Sequence, residues 1–138
     1  MKRYWTLGFI ALALSSCNTA QQTLIMPPPP AFNVSGQWNM ILTNENNNNA
    51  SFALGITLSD VNGAINGTVY LPGQPNNQPY PFTGVRTPQN TSTMNIGYDS
   101  LALSITGTFT SMITFTGRYT SLIDGVSQIG AGPVTMTR

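Results

Sequence analysis

"SFALGITLSD", residues Ser51 to Asp60, decides the fold. Phe52, Leu54, Ile56 and Leu58 fall on one side of an extended chain, with Ser51, Ala53, Gly55, Thr57 and Ser59 on the other. Side chains of a strand point alternately to opposite faces, so this spacing marks a strand with one face to a core and one to water. The same period runs outward in both directions. "QWNMILT" puts Trp38, Met40 and Leu42 on one face, and "SLALSITGTFT" sets Leu101, Leu103, Ile105 and Phe109 against Ala102, Ser104, Thr106, Thr108 and Thr110. No stretch carries the spacing of an amphipathic helix.

Turn-forming clusters divide these runs: Asp60 to Gly63, Pro72 to Pro79, Thr87 to Asn90, Asp99-Ser100, Thr110-Ser111 and Asp124-Gly125. Together they predict about eight strands, at 36–43, 51–59, 64–71, 81–86, 92–98, 101–110, 112–120 and 132–138. Short connections between consecutive strands imply an antiparallel up-and-down meander. An open sheet of this length would leave one apolar face wet and two edges unpaired, and closure removes both problems. The expectation is therefore an all-β chain closed into a small barrel, with a β-sandwich as the alternative. Eight strands enclose an interior that side chains can fill or that can hold one small ligand.

A short phrase recurs on four strands: "INGTV" (Ile65 to Val69), "FTGVR" (Phe82 to Arg86), "ITGTF" (Ile105 to Phe109) and "FTGRY" (Phe115 to Tyr119). Glycine inside a strand sacrifices packing, so its repetition needs a reason. Barrel curvature is one, because barrels bend at glycines and bulges. Space for a ligand is the other.

The chain opens differently. Lys2 and Arg3 precede the uncharged apolar run Tyr4 to Leu14, which is too short to span a hydrocarbon core of ~30 Å and reads as a secretory signal. Leu14-Ser15-Ser16-Cys17 then resembles the lipobox of bacterial lipoproteins. That resemblance implies cleavage before Cys17 and a diacylglyceryl group on its sulfur. It divides the chain into a signal peptide (1–16), a lipidated tether (17–34) and a barrel domain (35–138). The physical role of the lipid is retention, at ~0.8 kcal/mol per buried CH₂ with more than one acyl chain needed for stable anchoring. Asn18, not aspartate, follows the cysteine. In an envelope of two membranes the resemblance then implies the outer one, and otherwise the outer face of the plasma membrane. Within the tether, Pro27 to Pro30 favour polyproline II, a stiff spacer rising ~3.1 Å per residue.

Composition removes several functions. The mature side chains carry Arg86, Arg118 and Arg138 against Glu45, Asp60, Asp99 and Asp124. No basic patch is available to neutralise phosphates, so nucleic acid is not an expected partner. Histidine is absent and Cys17 is the one cysteine, which excludes a Ser–His–Asp arrangement and a histidine-activated thiol. Asp60, Asp99 and Asp124 fall at expected turns and Glu45 in the Asn44 to Asn49 loop, so neither a metal cluster nor a glycosidase pair is expected. The chain reads as a non-enzyme without a cofactor.

"SGQWNM" opens the domain with Gly36-x-Trp38. This resembles the Gly-x-Trp signature of the calycins, the lipocalins and avidins, whose tryptophan closes one end of an eight-stranded meander barrel. An arginine of the last strand packs over that tryptophan in those families, and Arg138 is the matching residue. The order "GQW", "AINGTVY", "PFTGVR", "ITFTGRY" is similar to the phrasing of bacterial avidins. Their tryptophan cage is missing, since no Trp follows Trp38, and Leu101, Leu103 and Phe115 stand on the strands that would carry it. The resemblance implies the barrel and not biotin.

Two functions follow as expectations. One is a lipid-anchored envelope module that binds an envelope protein, a glycan or a wall component. The other is a carrier holding a small apolar molecule among Trp38, Phe52, Leu54, Ile96, Leu103 and Phe115, residues that would equally serve as a packed core.

Overall fold

The computed structural model describes Pro28 and residues 31–70 and 78–138. The signal, the lipobox with Cys17, most of the tether and residues 71–77, which include most of the Pro72–Pro79 loop, lie outside the described residues. Eight strands follow in chain order: β1 (Gly36–Asn44), β2 (Ala50–Val61), β3 (Ala64–Tyr70), β4 (Pro79–Arg86), β5 (Thr91–Tyr98), β6 (Leu101–Ser111), β7 (Thr114–Ile123) and β8 (Ser127–Thr137). Each pairs antiparallel with the next, and β8 returns to β1 to close a barrel. The meander and its closure are as the alternation implies, and the sandwich is set aside.

Of the boundaries that differ from the sequence reading, three change the place of a turn or the start of a strand. β8 begins at Ser127 and not at 132, because a register shift between Ser121 and Leu122 lets β7 keep pairing with Ser127 and Gln128. The β6–β7 turn lies at Met112-Ile113 and not at Thr110-Ser111, since a shift between Phe109 and Ser111 prolongs β6. Asp60 belongs to β2. The turn there is Asn62-Gly63, with φ of 53° and 88°, the backbone that a two-residue hairpin requires.

Up-and-down topology sends alternate turns to opposite ends. One end collects the chain entry before β1, the 62–63, 87–90 and 112–113 turns and the end of β8. This end is closed from within. The segment ahead of β1 crosses it with Val34 fully buried, and Trp38 Nε1 donates to Val34 O at 2.9 Å. Beneath it Trp38 meets Phe109 edge-on at 5.6 Å, and Phe109 packs on Phe115 at 4.9 Å.

A charged pair sits inside this apolar end. Arg86 Nη2 donates to Asp60 Oδ2 and to Phe32 O, and Arg86 Nη1 reaches Asn90 Oδ1 at 2.7 Å. Asp60 Oδ1 accepts from Gly63 N at 3.0 Å. The guanidinium also lies 5.3 Å from the Phe32 ring centre and 5.9 Å from that of Phe109. Pairing and hydrogen bonding are what make such burial tolerable.

The recurring glycines also find their reason here. A Cβ on Gly67 would stand 2.2 Å from Thr57 O and 2.4 Å from the Phe82 ring, and one on Gly84 2.5 Å from Thr93 O. Gly107 and Gly117 face each other across β6 and β7, where a Cβ on either would meet a carbonyl oxygen at 2.3 Å. The space is filled by neighbouring backbone and by Phe82, Met94 and Phe115. These positions are close-packed and leave no room for a ligand.

Candidate functional site: the open mouth of the barrel

Among the described residues, the opposite end has no comparable plug. Inward positions at the ends of β1, β2, β5, β6, β7 and β8 line a cavity of about 410 Å³ that opens to solvent. Such a volume lies within the usual range for small-ligand sites. Leu42, Leu54, Leu101 and Leu103 form its aliphatic wall, Phe52 and Ile129 its rim, and Tyr98, Tyr119, Ser121 and Asn44 its polar fringe. The period of two continues to the rim, where the interior row emerges into water. Phe52 is accordingly 49% exposed although it lies in phase with buried Leu54, Ile56 and Leu58.

The six interior residues singled out in the sequence therefore separate. Phe52, Leu54 and Leu103 come together at the mouth. Trp38 and Phe115 are packed in the closed half, and Ile96 is buried in the wall between Phe82 and Leu103. Arg138 is exposed, with its guanidinium against Gly36 and, beside Trp38, in an outer groove. The buried arginine of the barrel end is Arg86, from β4 and not from the last strand.

Most polar groups at the mouth are already engaged. Ser121 Oγ donates to Gly130 O at 3.2 Å, and Asn44 Oδ1 accepts from Asn46 N at 3.0 Å. Tyr80 stacks edge-on against Tyr98 at 4.3 Å, and the hydrogen bond between the two hydroxyls raises Tyr80 above the ordinary tyrosine range. Outside the rim, Arg118 of β7 holds Glu45 of the β1–β2 loop through two contacts of 2.5 and 3.2 Å. That cation keeps the Glu45 carboxyl below the usual carboxylate range.

Tyr119 and Asp60 are what sequence reasoning missed. Tyr119 closes the phrase "FTGRY", and parity with Phe115 sends its ring inward. Asp60 falls at an expected turn, yet it stands in phase with Ile56 and Leu58, just as Arg86 stands in phase with Phe82. Parity was the available signal in each case. Among the described residues no group of three or more His, Cys, Asp or Glu side chains could hold a metal ion.

The outer groove is a second concavity, also of about 410 Å³, along β1 and β2. Gln37, Asn39, Thr57, Tyr70, Thr137 and Arg138 give it a polar lining.

No protein-family model matches this sequence, and no curated protein does either. Solved structures do match. The chain superposes on a redesigned β-barrel with a TM-score of 0.57 at 17% identity, over 76% of this chain and 90% of that one. It is similar to the crystal structure of apo short afifavidin, an avidin-like protein, with a TM-score of 0.51 at 21% identity, over 75% of this chain and 94% of that one. The likeness is one of fold, a small eight-stranded antiparallel β-barrel.

Proposed function

We propose that the protein is a lipid-anchored envelope barrel that binds a small, largely apolar molecule in its open mouth. The carrying observation is the asymmetry of the two ends. One is packed with aromatic rings and locked by a buried ion pair, while the other leaves aliphatic walls around a cavity of about 410 Å³. A barrel that served only as a spacer would gain stability by filling that space. The avidin-like neighbour supports a binding role, and the lipobox resemblance supports the anchor.

Native mass spectrometry of the full-length purified chain tests the binding reading. A small molecule should co-purify and be lost from Leu103→Trp, which fills the mouth. A bare mass in both proteins would sink it.

The outer groove favours a second reading, in which the barrel docks a glycan. Amide, hydroxyl and guanidinium groups beside exposed Tyr70 suit sugar hydroxyls. Pull-down on immobilised wall glycan, lost with Tyr70→Ala and kept with Leu103→Trp, would separate it from the first.

A further inference from the structure

We infer that Tyr119 is the hydrogen-bond donor of the mouth, and that the molecule bound there is uncharged, mostly apolar and carries a carbonyl or similar acceptor at its inner end. This rests on the mouth reading above and adds the chemistry of the occupant. Tyr119 is 5% exposed, and its side chain forms part of the cavity wall. Its hydroxyl has no hydrogen-bond partner among the described residues. Among the described residues the one fully buried side-chain polar atom lacking a partner is Arg86 Nε, so the Tyr119 hydroxyl keeps an opening, and the cavity is what the Tyr119 side chain lines. Water reaches the hydroxyl while the mouth is empty, and an apolar occupant that displaced this water without accepting from the hydroxyl would leave the donor unsatisfied, a cost that a ligand acceptor avoids.

The neighbours define the rest. Ser121 Oγ donates to Gly130 O, Tyr98 is engaged with Tyr80, and the carbonyl oxygen of Asn44, a residue of the polar fringe, is taken by Asn46 N. No cation lines the cavity, and Arg118 is held outside it by Glu45. An anionic ligand would therefore be desolvated with nothing to pair it. Burial, and after it the Glu45 carboxylate, raises Tyr119 above the ordinary tyrosine range, so the hydroxyl keeps its proton.

The test uses the full chain carrying Cys17→Ala and two fluorescent probes. One is 6-propionyl-2-dimethylaminonaphthalene, whose emission shifts to longer wavelength when its carbonyl accepts a hydrogen bond. The other is the matching propyl compound, without the carbonyl. Both should bind, and Leu103→Trp should abolish both. Tyr119→Phe should weaken the ketone roughly 3- to 10-fold, the range of one neutral hydrogen bond, and move its emission to shorter wavelength. The propyl compound should be unaffected. An equal effect on both probes, or on neither, would overturn the donor role and leave the mouth reading intact. Failure of both probes to bind, or binding indifferent to Leu103→Trp, would overturn the mouth reading and this inference with it.

Discussion

Arg86 of β4 and Asp60 of β2 form an ion pair inside the closed end, each side chain 2% exposed, although their strands are not neighbours in the barrel. The pair spans β3 from beneath and ties the chain entry to the wall through Phe32 O. Breaking it should be far worse than deleting it. Asp60→Asn leaves a buried guanidinium without its partner and should cost about 3–5 kcal/mol. Asp60→Leu with Arg86→Met leaves no buried charge and should recover part of that loss. Urea denaturation of the single and double variants gives the coupling. Additive losses would show that the two residues act separately.

Glycine positions divide cleanly by what surrounds them. Gly67→Ala places a methyl 2.2 Å from Thr57 O and should cost about 2–4 kcal/mol through overpacking and backbone shift. Gly97→Ala, on β5, meets nothing within 4 Å and should change stability by less than about 0.5 kcal/mol. Thermal unfolding of the two variants, side by side, checks the contrast.

Acid should weaken the clamp on the β1–β2 loop. Arg118 lowers the Glu45 pKa in the folded protein, so the clamp's contribution is present above the unfolded carboxylate value of ~4.3. It is lost as pH falls through the lowered folded value. Glu45→Gln should flatten the acid limb of the stability profile between those values. Both residues are well exposed, so the difference should be small and should vanish in high salt. A difference that persisted in high salt would argue against a screened surface pair.

The lipid anchor has its own test. Cys17→Ala should abolish incorporation of labelled palmitate and release the protein from membranes. Retention of the variant would assign the membrane attachment to another part of the chain.

The barrel was legible because half-buried strands repeat every two residues, and "SFALGITLSD" carries that period through ten positions. What escaped had a physical reason in each case. Met112 and Ile113 make a turn from two apolar residues, each 57% exposed, against the usual turn chemistry. The start of β8, "SQIGA", shows no alternation because it pairs across a register shift. Asp60 was hidden by its own chemistry. Aspartate next to Asn-Gly reads as a turn residue, and only its parity reveals that it faces inward toward Arg86. At the mouth, Phe52, Leu54 and Leu103 were visible as apolar. That they stand apart from Trp38 and Phe115 depends on which end is plugged, a property that appears only once the ring is closed.

The closure itself rests on a narrow seam. β1 and β8 register over four pairs, from Asn39↔Thr137 to Leu42↔Val134, whereas β7 and β8 pair along nearly their whole length. Those partners lie roughly a hundred residues apart in the chain, so this contact carries the largest loop-closure entropy of the fold. The meander can zip hairpin by hairpin before the ring forms, and until then it is a curved ribbon with two bare edges. Each edge of that ribbon matches the opposite edge of another copy. For a newly folding chain, the competition is between closing on itself and growing into a larger ring or fibre with its neighbours.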